Sequence, residues 1–266
     1  MESPHKPKLK MTKIVAMHYV KLVFRSLLFV LATAVYIYNK IHNTGSPFGG
    51  FENDAIILSF VWIIFVIEMY LRFFPAKLES MGCQKQFAKN YVPIESDDSI
   101  IKSSERSYIT VAICWFILNG ILGALYLTGV FDRGLMLLIA LFYSVCDIIC
   151  ILFFCPFQTW IMKNKCCSTC RIYNWDYAMM FTPLLFVRNI YSWTLFAMAL
   201  ILLIKWEYVA HKYPERFSEH CNGSLSCVHC KERLCHHKLQ LQAFLLKGKF
   251  NLKGNFLYKK WKEMRK

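Results

Sequence analysis

The feature that most constrains this chain is a series of long apolar runs that are almost empty of charge. A helix needs about 20 apolar residues to cross the hydrocarbon core of a bilayer. Five runs approach that length, over residues 22–38, 55–74, 108–130, 134–155 and 178–206. With no water inside the bilayer to satisfy backbone polar groups, such runs must fold as helices. The pattern predicts an all-α integral membrane protein with about five transmembrane helices. A soluble reading fails on composition, because 56% of the 266 residues are hydrophobic and they concentrate in these runs instead of spreading along the chain.

The organisation follows from the gaps between runs. Residues 1–21 form a basic N-terminus, 22–206 a transmembrane domain, 207–237 a Cys/His-rich segment and 238–266 a basic-aromatic tail. The N-terminus has lysines but no small-residue cleavage pattern after its apolar stretch, so the first run reads as a retained span. Its Arg25 lies within reach of the interface by snorkelling. Gly129-Val-Phe-Asp-Arg-Gly134 is too short for anything but a tight hairpin between the third and fourth runs.

Basic residues set orientation when they lie in short loops or near span ends. One side collects the N-terminal lysines, then Lys77, Lys85, Lys89, Lys102 and Arg106, then Lys163, Lys165 and Arg171. The other side has Lys40 and Arg133 in its two loops. The first side is therefore expected to be cytoplasmic, in a plasma or inner membrane. Five crossings would put residues 207–266 on the opposite side, despite their many basic residues. If the stretch from Tyr177 to Arg188, interrupted by Pro183, were re-entrant, the tail would return to the cytoplasm.

Ionisable groups at membrane depth are costly and call for partners. Asp147 lies about 12 Å from the cytoplasmic end of the fourth run and Arg188 about 15 Å into the fifth, at 1.5 Å per residue. Matching depths predict an Asp147–Arg188 pair. Glu68 has Arg72 four residues on as a neutralising neighbour. Glu68, Asp147 and Arg188, with Asn119, could also line a polar cavity. Gly120 and Gly123 beside Asn119 form a small-residue face suited to close helix approach.

Apart from Cys83, in the loop after the second run, the twelve cysteines divide into two uses. Those inside the apolar runs act as small hydrophobes. The others cluster in polar, basic stretches where packing does not account for them. Cys166, Cys167 and Cys170 follow the fourth run, and Cys221, Cys227, Cys230 and Cys235, with His236 and three further histidines, occupy the tail. A Cys-x-x-Cys spacing lets two thiolates grip one ion from a tight turn, and Zn²⁺ would take four such ligands. An iron–sulfur cluster also takes Cys ligands, though the spacing follows neither common ferredoxin run. The sequence Cys155-Pro-Phe resembles the Cys-Pro-Phe ending of membrane-bound ferredoxin-like electron-transfer proteins. The Cys and Gly residues that precede that ending are missing here, so no function is carried across. The pairs Cys167/Cys170 and Cys227/Cys230 equally suit dithiol–disulfide exchange, with neighbouring Lys, Arg and His groups favouring thiolates.

Three function classes stay open on these residues. The leading one is a membrane-embedded metal- or iron–sulfur-binding protein in metal handling or electron transfer, with a metal-delivery or redox partner. The second is a membrane thiol–disulfide oxidoreductase. The third is a small transporter or channel with a polar site at Asp147 and Arg188. The basic-aromatic tail suits anionic lipid better than nucleic acid. Asn222-Gly-Ser224 matches a glycosylation acceptor, a pattern common by chance. Phosphate loops, dinucleotide glycine fingerprints and helical His-Glu-x-x-His sites are absent from the sequence.

Overall fold

A computed structural model of the chain describes residues 12–42, 45, 47–48, 55–75, 81–94, 105–161, 171–218 and 220–225. These residues are all-helical, with a single isolated bridge between Pro93 and Asn222. Five long helices form the bundle: α1 (Lys13–Ile41), α2 (Ala55–Leu71), α4 (Glu105–Leu127), α5 (Arg133–Leu152) and α7 (Ile190–Lys212). Short α3 (Met81–Gln86) lies between α2 and α4, and short α6 (Asp176–Phe181) precedes α7. Four helices, namely α1, Ser107–Leu127 of α4, α5 and α7, are long and apolar enough to cross a membrane. Helix α2 is as apolar but shorter.

The helix starts are chemically marked. Thr12 accepts the Val15 N–H at 3.3 Å, Asp132 that of Leu135 at 2.8 Å, and Asn189 that of Tyr191 at 2.9 Å. Each satisfies a backbone donor that the first turn leaves unpaired. The α4–α5 hairpin turns at Gly129, whose φ of +76° is a left-handed conformation that favours glycine.

Side-chain contacts fix the relative directions of the long helices in two pairs. Helices α1 and α5 are antiparallel: Tyr36 bonds Asp132 at one end, while Ile14 and Val15 pack on Ile148, Ile151 and Leu152 at the other. Helices α2 and α7 are parallel, since Ser59 meets Tyr191, Trp62 donates to Thr194, and Lys205 donates to the Phe73 carbonyl. The bundle thus has a proximal end, where α1 begins, and a distal end.

Helix α6 and the 3₁₀ turn Thr182–Phe186 make an arm that runs from one end to the other. Asp176 bonds Arg72 near the proximal end of α2, and Phe186 packs on Tyr126 near the distal end of α4. Six α-helical residues at 1.5 Å and five 3₁₀ residues at 2.0 Å cover roughly 19 Å. The arm is buried through Tyr177, Met180, Phe181 and Leu184. At its centre Phe181 meets Phe65 edge-on at 5.2 Å. This corrects the single helix expected over 178–206. Pro183 lacks the N–H that an α-helix would use and sits at the start of the 3₁₀ turn. Val187 and Asn189 are then extended, and a new helix starts at Ile190 and continues past Trp206 to Lys212. The helical region therefore extends beyond 178–206 at both ends, from Asp176 to Lys212, in two pieces. The first helix is also longer than 22–38, because Lys13 to Tyr19 continue onto the proximal end of α5.

Consequently the described part of the tail, 213–218 and 220–225, lies at the proximal end with the start of α1. Its contacts are with residues 83–94, which connect α2 to α4. An odd number of passages through the bundle would have placed it at the other end.

Large apolar side chains on α1 and α4 face outward, among them Val20, Leu27, Ile113, Ile117 and Phe116, the last 73% exposed. Such a girdle has no place in water but suits acyl chains. Inside, the expected small-residue face is used at one position only. A Cβ on Gly123 would overlap the Phe186 ring, whereas one on Gly120 would meet nothing within 4 Å.

Two outcomes follow from this packing. Gly123→Leu should lower stability by roughly 1–3 kcal/mol through overpacking, while Gly120→Leu should leave it nearly unchanged, as read by thermal unfolding in detergent. The second concerns acid. Burial pushes the Asp132 carboxyl up, but the Leu135 N–H, the Tyr36 hydroxyl and Lys40 outweigh it and hold it below its ordinary value. A carboxyl depressed on folding stabilises the protein above its unfolded pKa of about 3.9 and loses that effect as pH falls through the folded value. The difference in melting temperature between wild type and Asp132→Asn should therefore shrink on acidification from pH 6 to pH 3.

Candidate functional site

The proximal half of the bundle holds a buried network of charge. Arg25, twelve residues into α1, is 2% exposed. It donates to the Ser144 carbonyl at 2.9 Å, to Asp147 Oδ2 at 3.1 Å and to Glu68 Oε2 at 2.7 Å. Lys21, one turn earlier, lies 3.3 Å from Glu68 Oε1. The Tyr177 hydroxyl donates to the same carboxylate at 3.0 Å. One guanidinium thus joins α1 to α5 and α2, and Tyr177 adds the arm.

A second pair lies next to the first. Arg72 and Asp176 form a two-pronged contact at 2.9 and 2.6 Å. The Arg72 guanidinium stacks over Tyr177 at 4.6 Å and over Tyr173 at 5.2 Å. Three cations, Lys21, Arg25 and Arg72, face three carboxylates, Glu68, Asp147 and Asp176. This balance lets each charge stay buried, since an unpaired one would cost several kcal/mol. His18 lies beside them, 2% exposed, with neither ring nitrogen hydrogen-bonded to a described residue.

These contacts replace two expected ones. Asp147 pairs with Arg25, and Arg188 is exposed on the short extended link before α7, at the distal end. The depth estimate for Arg188 assumed an unbroken fifth helix, and the break moves it away. Glu68 likewise pairs with Arg25 and Lys21 across helices, freeing Arg72 for Asp176. Arg25 and Asp176 carry roles that the apolar runs concealed. The snorkelling expected of Arg25 is also overturned: the helix starts at Lys13, well before residue 22, and the guanidinium turns inward to its carboxylate partners.

Beside the network, α4, α5, α6 and the Phe157–Ile161 turn line a half-open pocket of about 130 Å³. Asp147 and Asp176 reach its wall, together with Trp115, Tyr143 and Cys146. Asn119 is elsewhere, its amide donating back to the Trp115 carbonyl at 3.0 Å.

The proximal end also organises the roots of the two cysteine segments. Asn174 donates to Gln86 Oε1 at 2.7 Å, and Asn222 donates to the Lys85 carbonyl at 3.1 Å. Neighbouring residues of α3 therefore hold the turn that follows Cys170 and the turn that precedes Cys227. Arg171 pairs with Glu207 along one guanidinium edge, donating from Nε and Nη2 to the two carboxylate oxygens, and Trp175 donates to the same carboxylate at 2.5 Å. Asn222 is fully buried and uses its whole amide, donating also to the Arg216 carbonyl and accepting from the Val92 and Ser224 N–H groups. Its part in a glycosylation acceptor pattern is thus incidental: the amide is a structural pin.

Of the expected ligands, Cys221 is described and is buried. Cys166, Cys167, Cys170, Cys227, Cys230, Cys235 and His236 lie outside the described residues. Among the described residues no three His, Cys, Asp or Glu side chains converge as a metal site. Compared with known proteins, the chain matches no family model, no curated protein and no solved structure.

The network makes a sharp contrast between two arginines. Arg25→Met should destabilise the protein by about 3–5 kcal/mol, because Glu68 and Asp147 are left buried without their cation. Arg188→Met should stay within about 0.5 kcal/mol of wild type, as exposed positions do. Unfolding in detergent, followed by circular dichroism, separates the two.

Proposed function

We propose that this is a multi-pass membrane protein that binds a metal through its two cysteine segments, brought together on the cytoplasmic side for metal handling or electron transfer. The observation that carries the reading is the pair of hydrogen bonds from Asn174 and Asn222 to adjacent residues of α3. They root both segments at one end of the bundle. A fifth span ending on the far side would have kept the Cys-x-x-Cys pairs apart.

The side assignment rests on charge. Lys13, Lys85, Lys89, Arg171, Lys212 and Arg216 cluster at the proximal end, against Lys40, Arg133 and Arg188 at the distal end. Positive charge retained in the cytoplasm makes the proximal end cytoplasmic. The arm and α7 then count as two passages, six in all, and the tail returns to the side on which it began. The same orientation presents the basic-aromatic segment 238–266 to the anionic leaflet.

Soft thiolates with a nearby histidine suit Zn²⁺, and four of the six cysteines 166, 167, 170, 227, 230 and 235 would complete a tetrahedron. An iron–sulfur cluster uses the same donors and is distinguished by its visible absorption. Metal analysis of the full-length protein, purified anaerobically, tests the reading. About one equivalent per chain is expected, and it should be lost both in Cys167→Ser/Cys170→Ser and in Cys227→Ser/Cys230→Ser. Wild-type protein without metal would sink the proposal. Full retention by either double variant would sink the shared site.

A further inference from the structure

We propose that the proximal end of α7, with the turn that follows it, is a binding site for one anionic phospholipid. The outward side of α7 is graded along its length. Ile201 and Ile204 are exposed, Tyr208 is 62% exposed one turn further on, and exposed Lys212 comes one turn after that. Steps of three and four residues keep these side chains on one stripe of the helix. The stripe rises about 12 Å from Ile204 to Lys212 at 1.5 Å per residue. Apolar, aromatic and cationic positions therefore follow one another in the order in which a phospholipid presents its acyl chains, glycerol and phosphate.

The cationic end of the stripe is built around one ring. The Arg216 guanidinium stacks on Tyr213 at 3.9 Å, and Lys212 Nζ lies 5.4 Å from the same ring centre and 5.6 Å from that of Tyr208. The two cations are thus no more than about 9 Å apart. Among the described residues neither forms an ion pair: Glu207 is taken by Arg171, and Glu215 pairs with neither. The Arg216 backbone is held in place, because Asn222 donates to its carbonyl at 2.9 Å and its own N–H donates to the Tyr213 carbonyl at 3.1 Å. Phe217 beside it packs edge-on against Trp206. A backbone already fixed lowers the ordering cost of binding. A phosphodiester accepts hydrogen bonds from a guanidinium and an ammonium together. A choline head group would add its own positive charge beside these two, whereas an anionic head group adds none. Free phosphate would leave the apolar part of the stripe unused.

The site uses no cysteine, so lipid binding and metal content can fail independently. The test is native mass spectrometry of the full-length protein in detergent, titrated with phosphatidylglycerol and with phosphatidylcholine, which has the same phosphate but carries an ammonium. One phosphatidylglycerol should bind at least about tenfold more tightly than phosphatidylcholine, as two interfacial cations imply. Lys212→Gln/Arg216→Gln should remove most of that preference, while Lys13→Gln, exposed at the same end but on α1, should leave it unchanged. Should the double variant fail to fold, exposed Lys212→Gln alone takes its place and should cut the preference about threefold or more. Glycerophosphoglycerol, the head group without acyl chains, should not displace the lipid even in large excess. Equal affinity of wild type for the two lipids would overturn the proposal. So would an undiminished preference in the folded charge variant, an equal loss in Lys13→Gln, or displacement by the bare head group.

Discussion

The bundle depends on one buried guanidinium. Arg25 sits among apolar neighbours, 5.3 Å from the Phe65 ring, and three of its hydrogen bonds end on two other helices. Removing such a group from water is expensive, and the cost is offset only if its hydrogen bonds and counter-charges are all supplied. Here Ser144, Asp147 and Glu68 supply partners for both terminal nitrogens from fixed directions, and the Nε–H has no partner among the described residues. Helix α1 packs chiefly on α5, through Ile14 and Val15 at one end and Tyr36 at the other, and about half of its apolar residues face outward. Arg25 therefore sets both the rotation of α1 and its height against α2 and α5.

That dependence explains which parts of the fold were legible in the sequence. Helices α2, α4 and α5 begin and end close to their apolar runs, because hydropathy and the turn at Gly129 act locally. The Asp147 partner was not legible. Choosing between Arg25 and Arg188 requires knowing which helices are neighbours, and depth alone is not enough. The arm was hidden for a related reason. Its residues 176–186 are as apolar as a helix in lipid, yet they are buried by protein on several sides, and Pro183 reads equally as a kink or as a break. Tertiary burial of Tyr177, Phe181 and Leu184 decided in favour of the break.

The cysteine segments were legible as composition but not as placement. Their spacing suggested soft ligands, whereas the end of the bundle at which they are rooted depends on whether the arm traverses. Asn222 illustrates the limit from the other direction. A three-residue pattern offered it as a sugar acceptor, but its burial and its donors to Lys85 and Arg216 make it the pin that holds the tail against α3. Asn174 and Gln86 were not singled out at all, being ordinary polar residues whose importance comes only from meeting in a buried place.

The arm links these features physically. Its first residue, Asp176, neutralises Arg72, lines the pocket and directly follows the Arg171–Trp175 segment that is clasped to Glu207 of α7. Its next residue, Tyr177, bonds Glu68 and lies under Arg72. A shift of the Arg171–Trp175 segment would therefore pull on Asp176 and Tyr177 together, and through them on both halves of the charge network. Interlocked ion pairs of this kind resist gradual deformation, because moving one charge strands its partner in a poorly solvated interior. The arrangement couples the roots of the cysteine segments to the pocket through covalent neighbours and named contacts. It does so with short helices that are anchored at both ends and broken in the middle.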